Sequence, residues 1–252
     1  MALIEELEQS GNWLFRWRSF LPLILFVAAV PVVIWGGHAQ PDYAAWQWWL
    51  PCLMVSLLGQ IIRAITIGYT PRGTSGRNTS EGQVAETLNT QGIYGTVRHP
   101  LYVGNFFMWM GIVLFTGAWW FNLAVVLAFW LYYERIMFAE EAFLRGKFGE
   151  RYLEWSARTP AFVPRFDGWT APAVSFSMRN VLKREYNGFF AVFVSFAMVD
   201  VAQYVRVNGG WGDDALSAHW AWMLFASGLL FLTLRTLKKK TRILDVEGRE
   251  YV

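Results

Sequence analysis

Six apolar runs, separated by loops that hold nearly all the charge, limit this chain to a bundle of membrane-crossing helices. They cover residues 20–36, 46–68, 101–117, 120–138, 187–205 and 218–236. Each approaches the roughly 20 apolar residues needed to cross a hydrocarbon core about 30 Å thick. Backbone inside hydrocarbon must satisfy its own N–H and C=O groups, and a helix does so within one segment. The expected fold is an all-α integral membrane protein with six transmembrane helices. Pro22 and Pro31 predict a kink or tilt in the first run. The third and fourth runs are joined by little more than residues 118–122, which predicts a tight antiparallel hairpin at about 101–138. At 55% hydrophobic and 16% charged, with 15 Trp in 252 residues, the chain is too apolar for an ordinary soluble domain.

The basic residues predict the orientation. Of 22 Lys and Arg, only Arg206 falls on the side opposite the termini and the two long loops. By the positive-inside rule, both termini and those loops are expected in the cytoplasm. The net charge of +3 then reflects topology and contact with anionic headgroups rather than nucleic-acid binding. The start of the chain is acidic (Glu5, Glu6, Glu8), unlike a cleavable signal. The single Cys52 excludes an internal disulfide and a cysteine metal site, and reads as a small buried apolar residue. The three histidines are His38, His99 and His219. The expected topology puts His99 across the membrane from the other two, so no metal site is expected.

The loop 69–98 is rich in Gly, Thr, Ser and Asn at its start and turns amphipathic around Val84–Leu88. Gly92 and Gly95 bracket Tyr94 and predict a turn. Pro100 suits the first turn of the third span. Residues 135–186 begin as a helical continuation of the fourth span, weakened at Gly146 and Gly149 and broken by Pro160, Pro164 and Pro172. A core over 1–165 and a carboxyl-terminal extension over 166–252, with two further spans, form a single membrane domain. Asp200, inside the fifth span, is either a functional acid or a structural partner of Gln203, Tyr204 or another span.

No Rossmann glycine fingerprint, Walker loop, Gly-x-Ser-x-Gly elbow or His-Glu-x-x-His is present. The chemistry-bearing residues are Tyr94, Arg98, His99 and Tyr102, with Glu134, Arg135, Glu140 and Glu141 about forty residues later. The expected hairpin makes the two sets neighbours at one membrane surface. Taken singly, the arginines read equally as topology-setting cations and the glutamates as a solvated helix face. Brought together at the hydrocarbon boundary, they mark a candidate site.

The run Thr87-Leu88-Asn89-Thr90-x-Gly92-x-Tyr94-x-x-x-Arg98-His99-Pro100-x-Tyr102-x-Gly104, followed by Glu140-Glu141-x-x-Leu144-x-x-x-Phe148-Gly149-x-x-Tyr152 and Pro160-x-x-x-Pro164, resembles the isoprenylcysteine carboxyl methyltransferase and phospholipid methyltransferase superfamily. The resemblance covers about residues 80–165. It implies an integral-membrane methyltransferase that uses S-adenosylmethionine, needs no metal and has no Rossmann domain. Carried over by position, it implies that Glu86, Thr87, Leu88 and Asn89 line the cofactor and Tyr94 packs against it. His99, Pro100, Leu101 and Tyr102 would form the pocket wall, and Glu140 would bind a polar group of the cofactor. Glu86 stands where the carboxyl methyltransferases commonly have His. Their substrate-contacting Arg aligns with Ile136, beside Arg135.

Methyl transfer from a sulfonium is an in-line displacement that depends on alignment and exclusion of water. An anionic acceptor, such as a lipid phosphate or carboxylate, needs cations to hold it; Arg98, Arg135, Arg72 and Arg77 are the candidates. An amine acceptor must lose a proton, and Glu141 or a tyrosine is then a candidate base. The loop arginines favour an anionic oxygen, and the resemblance includes bacterial enzymes that methylate a phosphate of an outer-membrane glycolipid. The expected partner is a lipid or lipidated substrate at the cytoplasmic face of a bacterial inner membrane. Rival expectations are a phospholipid amine methyltransferase, a membrane reductase akin to sterol reductases, and a non-enzymatic lipid-binding protein.

Overall fold

The computed structural model describes residues 2–18, 21–36, 42–71, 74, 77–79, 82–247 and 249, with backbone alone for 21, 22, 26, 77–79 and 82–84. Its helices are α1 (Leu3–Trp17), α2 (Leu21–Trp35), α3 (Trp46–Gly68), α4 (Pro100–Phe115), α5 (Trp119–Phe148), α6 (Glu150–Arg158), α7 (Met178–Asn208) and α8 (Ala218–Lys240). The expected all-α plan is interrupted once. In the first long loop β1 (Arg77–Thr79) pairs antiparallel with β2 (Gly82–Val84), with Arg77 opposite Val84. The amphipathic stretch that follows is not helical, and Ala85 and Leu88 are its buried residues.

Each of the six expected apolar segments holds a helix among the described residues. Among the described residues, four helices are long and apolar enough to cross a membrane: α3, α5, α7 and α8, of 23, 30, 31 and 23 residues. The other two, α2 and α4, have 15 and 16 residues. At roughly 1.5 Å per residue they reach only about 22–24 Å. The link into α5 is also shorter than expected. Gly117, at φ 73°, makes the turn, and Trp119–Asn122 already belong to α5. That helix continues the fourth span to Phe148 and ends at Gly149, whose φ of 53° requires glycine.

The first helix lies ahead of every apolar run. In α1 Glu5 and Glu6 occupy the first turn and Arg16 the last, each favoured by the helix dipole. Gly11 seats it directly on α5, against the backbone of Arg135 and the side chain of Ala139.

Small residues decide how closely the bundle packs. α3 lies along α4, and the Cβ missing from Gly59, Gly104 or Gly111 would strike the facing helix. Ser56 Oγ donates to the Met108 carbonyl at 2.8 Å across the same seam. Close backbone approach of this kind is how helices associate where lipid removes the hydrophobic drive. α7 pairs with α8 and also packs on α2, α3 and α4, so the extension and the core share one interior. Phe115, Phe129, Ile136, Phe196 and Trp220 fill it.

Asp200 pairs with the start of another span, one of the expected alternatives. Its carboxylate accepts from Ser217 N at 2.8 Å and Ser217 Oγ at 3.0 Å, which secures the start of α8. Gln203 instead donates to the Phe115 carbonyl and Tyr204 to Asp214.

Candidate active site

Backbone hydrogen bonds tie the loop before α4 to the proline-rich segment. Gly92, at φ 60°, opens a short 3-10 turn that runs to Gly95, as the glycine spacing predicted. Arg98 N donates to the Pro160 carbonyl at 2.9 Å and His99 N to that of Ala161 at 3.2 Å. The proline-rich segment returns the bonding through Arg165 N to the Thr96 carbonyl. His99 is then the N-cap of α4 and Pro100 its first residue. Glu140 and Glu141 arrive on the last turns of α5, beside them.

Side chains lock these ends together. Tyr102 Oη donates to Glu140 Oε2 at 2.9 Å. His99 stands between the two carboxylates, with Nδ1 3.5 Å from Glu140 Oε2 and Nε2 2.8 Å from Glu141 Oε1. Arg98 donates from Nε and Nη2 to the two oxygens of Glu141, at 2.8 and 3.2 Å. Its Nη1 donates to the carbonyls of Ser156 and Thr159. The His99 ring stacks on Tyr102 at 5.5 Å between centroids. Glu140 is only 5% exposed, so its charge depends on these partners.

Burial alone would depress the His99 pKa, but hydrogen bonds and charge from Glu140 and Glu141 outweigh it and raise the value above 6.5. The raised value has a defined sign. Protonated His99 contributes stability that is fully present below its unfolded pKa and is lost as pH rises through the folded one. The thermal midpoint of the protein in detergent is expected to fall on that rise. The deficit of a His99→Gln variant, large at pH 6, should shrink in parallel; a deficit independent of pH would contradict a charged His99. Tyr152 stays a neutral phenol, because burial and then the nearby Glu141 push its pKa up.

These groups wall a cavity of about 460 Å³, within the usual size range of small-molecule sites. Thr87, Leu88, Asn89, Tyr94, Arg98 and His99 line it. So do Pro100, Leu101, Tyr102, Glu140 and Glu141, so two segments forty residues apart meet as the hairpin predicted. Four expected members stand elsewhere or lie beyond description. Glu86 is exposed and outside the wall. Arg135 is turned to α1, where it donates to Ser10 Oγ at 3.0 Å, and its neighbour Ile136 is fully buried. Arg72 and the side chain of Arg77 fall outside the described residues.

The wall also contains residues that sequence reasoning passed over: Arg18 after α1, Arg63 in α3, Asn105 in α4, Tyr133 in α5, and Arg184 and Glu185 in α7. Arg63 and Glu185 form a two-pronged ion pair, Nε–Oε2 at 2.7 Å and Nη2–Oε1 at 2.8 Å. Arg63 Nη1 donates to Asn105 Oδ1, and Asn105 Nδ2 donates to Tyr133 Oη, both at 2.7 Å. An arginine inside an apolar run was the available signal.

A helical membrane protein with a charged, aromatic-walled cavity at the ends of its helices is the class that fold and site define. The model of the phospholipid methyltransferase family matches residues 48–151. The cobalt-zinc-cadmium resistance protein CzcN of Cupriavidus metallidurans is 30% identical over 68% of this chain and 77% of its own length. The protein-S-isoprenylcysteine O-methyltransferase of Schizosaccharomyces pombe is 32% identical over 42% of this chain and 45% of its own. The nickel-cobalt-cadmium resistance protein NccN of Alcaligenes xylosoxydans xylosoxydans is 32% identical over 55% of this chain and 61% of its own. No solved structure matches. The chain belongs to the isoprenylcysteine carboxyl methyltransferase and phospholipid methyltransferase superfamily.

Proposed function

We propose that this protein is an S-adenosylmethionine-dependent methyltransferase that modifies a lipid or lipidated acceptor at the cytoplasmic face of a bacterial inner membrane. One observation carries the reading: residues 87–102 and 140–155 wall one cavity around the buried Glu140 carboxylate, which Tyr102 and His99 hold. The donor set suits the cofactor. A carboxylate near Tyr94, Tyr152 and Trp155 favours a ligand that carries positive charge and a flat ring. When bound, the cofactor supplies a methyl group on a sulfonium. The chain's own residues bind, orient and exclude water. Tyr102 and His99 hold Glu140 for the cofactor's polar end. Arg98, with its donors engaged by Glu141, Ser156 and Thr159, is a positioning residue that fixes the site's floor.

The acceptor is best read as an anionic oxygen, a lipid phosphate or carboxylate, which needs no base. Glu141, the candidate base for an amine, is already gripped by Arg98 and His99. Among the described residues, Arg18 and Arg184 are further cations in the wall, beside Arg63 and Arg98, whose donors are engaged by Glu185 and Glu141. Mass spectrometry of lipids from cells with and without the gene tests the reading. A lipid species heavier by one CH₂ that appears only with the gene is expected. Identical lipid profiles would contradict it.

A further inference from the structure

The proline-rich segment after α6 carries an apolar edge that the cavity does not use. Its backbone is pinned against residues 92–99 along its length. Arg98 N and His99 N donate to the carbonyls of Pro160 and Ala161, Arg165 N to that of Thr96, and Gly92 N to that of Thr170. Between these bonds, the Cβ that Gly95 lacks would strike the Gly168 carbonyl. The exposed side chains of the segment are therefore held outward by a fixed backbone. Val163, Phe166 and Trp169 are 74%, 77% and 57% exposed. Three large apolar groups facing water within seven residues would be costly. Phe162 identifies what lies outside. It packs edge-on against Trp130 of α5, at 5.6 Å between centroids, and against Phe106 of α4 at 6.0 Å. Trp130 belongs to an exposed apolar stripe with Trp120, Leu123, Leu127 and Leu131, on a helix long and apolar enough to cross a membrane. That spacing is one helix face, and such a face on a spanning helix looks at lipid. Phe106 lies six residues into α4, about 9 Å along the axis from its start. The turn thus reaches past the start of α4, against the lipid-facing side of α5.

We propose that the turn at 162–166 is a wedge seated in the lipid leaflet beside the active site, with Val163 and Phe166 among the upper acyl chains and Trp169 at headgroup level. Interfacial elements commonly reach about 5–10 Å into this boundary. Irregular backbone fits there when few of its polar groups need water. Pro160 and Pro164 have no N–H, and the carbonyls of Pro160 and Ala161 already accept from the loop before α4. Arg165 limits the depth. It is exposed and paired with Asp167 at 2.7 Å, which suits headgroups and not hydrocarbon. Continuity with the α5 stripe favours lipid over a second protein as the cover. Because the same segment holds Arg98 N and His99 N, the wedge sets the level of the active-site loop against the headgroups. That consequence rests on the lipid methyltransferase reading above.

Single cysteines carrying a fluorophore, in a Cys52→Ala background in nanodiscs, test the wedge. Val163→Cys and Phe166→Cys change exposed side chains and leave the backbone bonds in place. Leu127→Cys marks lipid, and Glu150→Cys, exposed at the start of α6, marks water. Labels at 163 and 166 are expected to lose most of their emission to lipids brominated on their acyl chains and little to aqueous iodide, as at 127. Quenching by iodide alone, as at 150, would overturn the wedge. Shielding from both quenchers would also overturn it, by showing a protein cover. Val163→Asp combined with Phe166→Asp should keep S-adenosylhomocysteine binding and lose most methyl transfer to lipid vesicles. Undiminished transfer by that double variant would overturn the wedge's part in setting the level of the site. Absence of S-adenosylhomocysteine binding in the unaltered protein would instead remove the methyltransferase reading, with the quenching still deciding the wedge.

Discussion

Glu140→Ala is expected to weaken S-adenosylhomocysteine binding by about 2 kcal/mol, the scale of one hydrogen bond to a charged group. That is roughly thirtyfold in Kd. Glu140 is almost fully buried at the cavity wall, with Tyr102 donating to one oxygen and His99 beside it. Its carboxylate is held at fixed geometry before any ligand arrives, so little ordering cost opposes its use. Tyr102→Phe should weaken binding less, because the carboxylate remains and only its orientation loosens. Calorimetric titration in detergent measures both. An unchanged Kd for Glu140→Ala would mean that the cofactor does not use this carboxylate.

Glu185→Ala is expected to destabilise the protein by about 3 kcal/mol, at the lower end for breaking a buried pair because Arg63 keeps some exposure. Without Glu185, the guanidinium in the middle of the bundle loses both prongs of its partner, and Gln60 loses its acceptor. Glu185→Gln should cost less, since the amide oxygen still accepts from Arg63. Thermal unfolding in detergent separates the two variants. An alanine variant as stable as the parent would show that α7 is not tied to α3 through this pair.

The bundle was legible because hydrocarbon permits so few backbone solutions. Apolar blocks therefore located all six apolar helices. The runs at 20–36 and 101–117 hold only 17 residues each, so the short lengths of α2 and α4 follow from the runs themselves. α1 escaped attention because its apolar residues are spaced along one face rather than clustered, and its anchor is a glycine, Gly11, which hydropathy does not register. At the site, the pairing of Arg98–Tyr102 with Glu140–Glu141 followed from the hairpin, which is local in sequence. The Arg63–Glu185 pair joins residues 122 positions apart, through packing of α3 on α7 that no loop length dictates. Arg135 shows the limit of reading by neighbourhood. One step along a helix turns a side chain by about 100°, and here that step points it at Ser10 instead of the cavity.

The most direct test is transfer of a labelled methyl group from S-adenosylmethionine into a total lipid extract by the purified protein. The expected result is label in the lipid fraction that depends on the protein and is almost lost with Glu140→Ala. Label that never enters the lipid fraction, with protein that binds S-adenosylhomocysteine normally, would contradict a lipid acceptor. Transfer undiminished by Glu140→Ala would contradict the placement of the active site at the ends of α4 and α5.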